Sequence, residues 1–256
     1  MAQIFHRNSN ALARAGLMIA ALSVIALGVV LLLLERAPWV TRQGLAPRQP
    51  VSFSHKRHVE ELGLQCQYCH VSAERSSYAG IPPTKICINC HSQIWINAQL
   101  LEPVRQSWTT GKSLPWIKVD ALPDYVYFNH EIHVRKGVGC ATCHGRVDQM
   151  QRVYAEKTLQ MDWCLNCHRN PAKYLRPTSE IYNMSWESPS SQSPVWCAVS
   201  DEQSDIPTAE SVRCSTTEPM QGIHPFTSQD ELGRFLAAHY KIRTPNELSS
   251  CEVCHQ

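Results

Sequence analysis

The pattern Cys-x-x-Cys-His occurs five times in this chain, at residues 66–70, 87–91, 140–144, 164–168 and 251–255. The chemistry of that spacing is covalent attachment of haem c. Paired thiols at Cys66 and Cys69, Cys87 and Cys90, Cys140 and Cys143, Cys164 and Cys167, and Cys251 and Cys254 would form thioethers to the porphyrin vinyl groups. His70, His91, His144, His168 and His255 would then face the iron as proximal ligands. Five haem c groups follow as the expected cofactors. Zinc ribbons also pair Cys-x-x-Cys units, at separations of about 15–20 residues. The 17 residues between Cys69 and Cys87 and the 20 between Cys143 and Cys164 fit that alternative. The histidine after every second cysteine argues against it. With 12 His in 256 residues, five such placements have a chance probability of about 10⁻⁷.

The remaining histidines are patterned too. Phe53-Ser54-His55-Lys56-Arg57-His58 precedes the first motif and Phe128-Asn129-His130-Glu131-Ile132-His133 the third, both reading Phe-x-His-x-x-His. The offsets between copies are 75 from Phe53 to Phe128, 74 from Cys66 to Cys140 and 77 from Cys87 to Cys164. The chain thus carries one module twice, at about residues 51–95 and 126–170. Two His three apart share a helix face, so one short helix could reach two neighbouring irons. This arrangement resembles the class III cytochromes and cytochrome c7. The resemblance implies that His55 completes the first haem, His58 the second, His130 the third and His133 the fourth. For the fifth haem the first choice is His239, 12 residues before Cys251. It lies on an expected helix from about Ser228 to Tyr240, opened by the capping-box pattern Ser228-Gln229-Asp230-Glu231. His224 is second choice. A thioether from Met220, Met184 or Met161 is third, and would raise that haem's potential.

Other elements must carry these ligands. Ala15 to Leu34 is an apolar run broken only by Ser23 and two Gly, and its 20 residues match one bilayer crossing. Arg7 and Arg14 precede it, which leaves the N-terminus in the cytoplasm. The run exceeds a usual signal-peptide core and lacks a small-x-small cleavage pattern, so an uncleaved anchor is expected. The boundaries read as a cytoplasmic segment 1–14, a transmembrane anchor 15–35 and an extracytoplasmic haem domain 36–256. That compartment is oxidising. Of 12 Cys, ten belong to the motifs, so 12 − 10 = 2 remain, Cys197 and Cys214. They are expected to form a disulfide.

Aromatic residues are only 8% of the chain, so haems should supply much of the apolar core. The expected fold is mostly irregular chain with short α-helices wrapped around haems, plus the transmembrane helix. Between the fourth and fifth motifs lies a Ser/Pro-rich excursion, about 183–222, followed by a C-terminal fifth-haem unit, about 223–256. The excursion reads either as a disordered loop or as a surface for a neighbouring subunit. The formal charge of +2 omits haem propionates, and gives no case for nucleic acid as a partner. No Walker loop, dinucleotide fingerprint or nucleophile elbow is present.

Longer stretches carry a further resemblance. Gln49 through Lys56, Cys66 through His70, Ala79 through Pro82, Cys87 through His91 and Met161 through Pro171, together with one anchor and five motifs, are similar to the pentahaem cytochrome c of bacterial alternative complex III. That family implies electron transfer from quinol oxidation, with no catalysis by this chain alone. It implies iron–sulfur and polytopic quinol-binding membrane subunits as partners. A soluble cytochrome c, a copper protein or a terminal oxidase would be the acceptor. The competing reading is a membrane-anchored quinol dehydrogenase cytochrome feeding a periplasmic reductase. A multihaem enzyme with an open iron is a third, disfavoured because there are enough His and Met for every iron.

Overall fold

A computed structural model describes residues 6–199, 212–221, 223 and 225–255. The chain divides into two units, one through Gln43 and one from Gly44 onward. The first is dominated by α1 (Ser9–Glu35), rich in Leu, Ile, Val and Ala, with no buried residue. At 1.5 Å per residue its 27 residues span about 40 Å, more than a hydrocarbon core of about 30 Å. Among the described residues it is the one helix long and apolar enough to cross a membrane. It begins six residues before the expected Ala15, because Asn10-Ala11-Leu12-Ala13-Arg14 consists mainly of good helix formers. A single turn, α2 (Pro38–Thr41), follows with proline in its first turn.

The second unit is irregular chain holding short helices: α3 (Cys66–Cys69), α4 (Thr84–His91), α5 (Glu102–Thr110), α6 (His130–Arg135), α7 (Cys140–His144), α8 (Met161–Arg169), α9 (Gln229–His239) and α10 (Pro245–Leu248). Every Cys-x-x-Cys-His motif sits on a helical turn, the fifth on a 3₁₀ turn, Cys251–Val253. Such a turn sets the two thiols, three residues apart, on one face.

The chain also builds a core of its own. Helix α9 starts at Ser228, whose hydroxyl accepts from the Glu231 N–H. Leu232, Leu236 and Tyr240, four residues apart, form one buried stripe. They pack with Leu175, Val195, Cys197 and Val212. Gly233 lies on the same helix against Ala172, and a Cβ there would collide with the Ala172 carbonyl. The Ser/Pro-rich excursion contributes to this core. Strands β1 (Trp196–Val199) and β2 (Val212–Ser215) pair antiparallel with Cys197 opposite Cys214, and the two are joined by a disulfide. Trp186 packs against the cluster and lies under the Arg176 guanidinium, 5.8 Å from its ring centre. Part of the described excursion is therefore packed structure, because alternation in these strands turns Cys197 and Val212 inward. A smaller cluster, Val51, Leu101 and Val104, packs with Ile88, Leu114 and Trp116 around the second motif.

Candidate haem-binding sites

The Phe-x-His-x-x-His segments are shaped by local capping. In the second copy Asn129 Oδ1 accepts from the Ile132 N–H and opens α6. In the first, Ser54 Oγ accepts from the Arg57 N–H at the equivalent position. Each cap residue also fixes a candidate ligand: the Ser54 carbonyl meets His58 Nδ1 at 2.8 Å and the Asn129 carbonyl meets His133 Nδ1 at 2.7 Å. The motif phenylalanine stacks on that same histidine. Phe53 lies 4.3 Å from His58 and Phe128 4.5 Å from His133, ring centre to ring centre. The imidazole is thereby oriented with Nε2 left for metal.

Four histidine pairs result. His55 faces His70 with ring centres 6.4 Å apart, His58 faces His91 at 6.3 Å, His130 faces His144 at 6.4 Å and His133 faces His168 at 6.1 Å. Two imidazoles bound on opposite sides of one iron, with about 2.0 Å per metal–nitrogen bond and about 1.1 Å to each ring centre, would stand about 6.2 Å apart. The residues present therefore fit iron held between them. Burial, reinforced by His70, His58 and His144, lowers His55 to a pKa of about 4. Burial likewise lowers His70, His130 and His133. Burial thus favours the neutral form, the one that ligates metal.

The thiols show which motifs are neighbours. Burial, then Cys87, Cys66 and Cys90, raises the Cys69 pKa, which joins the first motif to the second. Burial and then Cys66 push Cys140 up to about 11, joining the first to the third. Burial and then Cys167 push Cys143 up to about 12, joining the third to the fourth. Burial and then Cys254 raise Cys164, joining the fourth to the fifth. Hydrogen bonds make the same links: His130 Nδ1 meets the Ala73 carbonyl and His168 Nδ1 the Leu248 carbonyl, each at 2.8 Å. The spatial order is thus second, first, third, fourth, fifth. Cys90 and Cys251, in the two end motifs, are the exposed motif thiols.

The fifth site differs. His255 Nδ1 meets the Tyr125 carbonyl at 2.9 Å, and its ring neighbour is Tyr125 at 5.9 Å. Among the described residues no histidine ring pairs with it. His239 carries the same signature as the module histidines: its Nδ1 meets the Phe235 carbonyl at 2.8 Å and its ring packs on Phe235 at 4.1 Å. Among the described residues no ring contact joins it to His255. His224 lies outside the described residues. Met184 is buried, Met220 is half-buried, and Met161, one turn before Cys164 on α8, is 66% exposed. Sequence reasoning did not single out Asp120, whose Oδ2 lies 2.7 Å from His144 Nδ1. It sits in a connector 24 residues from its partner, with no motif to mark it.

A set of such sites on short helices, in a domain otherwise light in regular structure, defines a multihaem c-type cytochrome, a carrier of electrons. The family described as cytochrome c7 and related cytochrome c matches residues 126–198. The multihaem cytochrome c subunit of menaquinone reductase from Nitratidesulfovibrio vulgaris (strain Hildenborough) is 31% identical over 143 residues, 48% of this chain and 68% of that protein. The chain belongs to this family of multihaem cytochromes c.

Proposed function

We propose that the chain holds five haem c groups and carries electrons from quinol oxidation in a membrane complex of the alternative complex III kind to an acceptor outside the membrane. Haem c supplies one-electron exchange at iron. The ten motif cysteines would tether it. His55 with His70, His58 with His91, His130 with His144, and His133 with His168 would hold four irons, and His255 the fifth. His239, Met161, Met184, Met220 and His224 are the candidates to complete that site. The observation that carries this reading is the set of four imidazole pairs at 6.1–6.4 Å.

The single-file order supports electrons entering and leaving at the second and fifth motifs, where the chain leaves thiols exposed. The anchor would be α1, with the N-terminus in the cytoplasm and the haem domain, about 36–256, on the extracytoplasmic side. The partners would be iron–sulfur and polytopic quinol-binding subunits, with a soluble cytochrome c, copper protein or oxidase as acceptor. The relative's name favours a second reading, in which such a cytochrome works in a complex that reduces menaquinone.

Two measurements test the proposal. Peptide mass mapping should find a haem adduct on each of the five motifs. Mild-detergent purification from native membranes through this chain should bring iron–sulfur and quinol-binding subunits with it, and quinol should reduce the haems. A complex whose haems are reduced by a soluble donor, and which passes those electrons on to menaquinone, would replace this reading with the second.

A further inference from the structure

We infer that Asp120 sets the third haem apart as the lowest-potential member of the file. The inference rests on the proposed haem ligation. The candidate ligands otherwise use backbone at Nδ1. His58, His91, His130, His133, His168 and His255 face the carbonyls of Ser54, Ile94, Ala73, Asn129, Leu248 and Tyr125. His70 has the backbone of Gly80, and His55 Nδ1 has no partner among the described residues. His144 alone in this set faces a carboxylate, Asp120 Oδ2 at 2.7 Å.

That difference is electronic. A carboxylate accepts more strongly than a peptide carbonyl, draws the Nδ1 proton and makes the imidazole a stronger donor to metal. A stronger donor favours ferric over ferrous iron, so the potential falls. The Asp120 side chain is 20% exposed, which limits screening by water. Its other oxygen, Oδ1, is buried without a hydrogen-bond partner, so the contact with His144 is not shared with a competing donor. The connector before the second module therefore acts as a positioning element at the middle of the file. The third site becomes the hardest to reduce, and electrons crossing between the two modules must climb onto it.

The test uses the full membrane-anchored chain, matured with haem. In Asp120→Asn, spectroelectrochemical titration should show one midpoint raised by at least tenfold in its reduction equilibrium, 59 mV for a one-electron centre, with the others unmoved. Asp120→Glu should restore the wild-type value. An Asp120→Asn protein carrying its third haem with every midpoint unchanged would overturn the inference. If Asp120→Asn does not mature, the unmodified protein decides. One low-spin ferric signal should show the narrowed g spread of imidazolate-like ligation, and its absence overturns the inference. Peptide mapping separates the two levels: a third motif without haem in the wild-type chain removes the ligation reading itself.

Discussion

The two Phe-x-His-x-x-His modules present the same candidate ligands from different backbones. In the second, residues 130–135 form an ordinary α-helix closed by Gly137 at φ 83°. In the first, Lys56–Glu61 is a π-helix closed by Gly63 at φ 69°. The first module has one more residue, 13 from Phe53 to Cys66 against 12 from Phe128 to Cys140. A π turn absorbs one extra residue without displacing what flanks it. The closing bonds differ by the same residue: Leu64 N–H donates to the His58 carbonyl, and Val138 N–H to the His133 carbonyl. Ring orientation differs as well. His58 and His91 are inclined at 68°, His133 and His168 at 22°. The two copies thus keep nearly the same ring separation at this histidine and differ in ring angle.

The modules also differ in support. Tyr240 of the C-terminal core packs against Gly137, where a Cβ would lie 2.7 Å from its ring, and Lys136 Nζ donates to the Tyr240 carbonyl. The first module leans on the smaller Val51, Leu101 and Val104 cluster.

These contrasts can be broken in order of effect. His58→Ala and His133→Ala should each convert one low-spin haem fully to high spin, read by electronic absorption. An unchanged low-spin count in either would remove that histidine from the ligand set. Leu236→Ala should cost about 2–5 kcal/mol and loosen the second module, whereas Val104→Ala should cost about 2 kcal/mol and act on the first. Chemical denaturation followed at the two modules' haems would show equal losses if the support is not divided this way. Ligand angle gives a finer signal. Perpendicular imidazole planes leave the iron dπ orbitals nearly degenerate, so the His58–His91 site should give the most anisotropic low-spin paramagnetic resonance signal. The His55–His70 pair, at 5°, should give one of the least anisotropic. Deleting Glu61 should restore α-helical spacing and move the anisotropic signal toward that of the second module. The smallest effect is capping: Asn129→Ala and Ser54→Ala should each cost about 1 kcal/mol, measured as a shift in denaturation midpoint.

Much of the site was legible because attachment chemistry is local. Cys-x-x-Cys-His and Phe-x-His-x-x-His need only one turn of chain, so their spacing is printed in the sequence. The role of the phenylalanine was not printed, since stacking on the second histidine appears only once the turn is folded. Nor was the structured half of the Ser/Pro-rich excursion, where β1 and β2 are four residues each and gain their place from the disulfide and α9.

The sequence by itself determined which residues are placed to bond haem, that the unit is duplicated, and that one helix is apolar enough to span a bilayer, because each depends on neighbours within a few residues or on composition. Tertiary structure decided which imidazole faces which, the order in which the motifs line up, and the placing of Asp120 on His144. Those depend on contacts between segments tens of residues apart, which packing alone brings together.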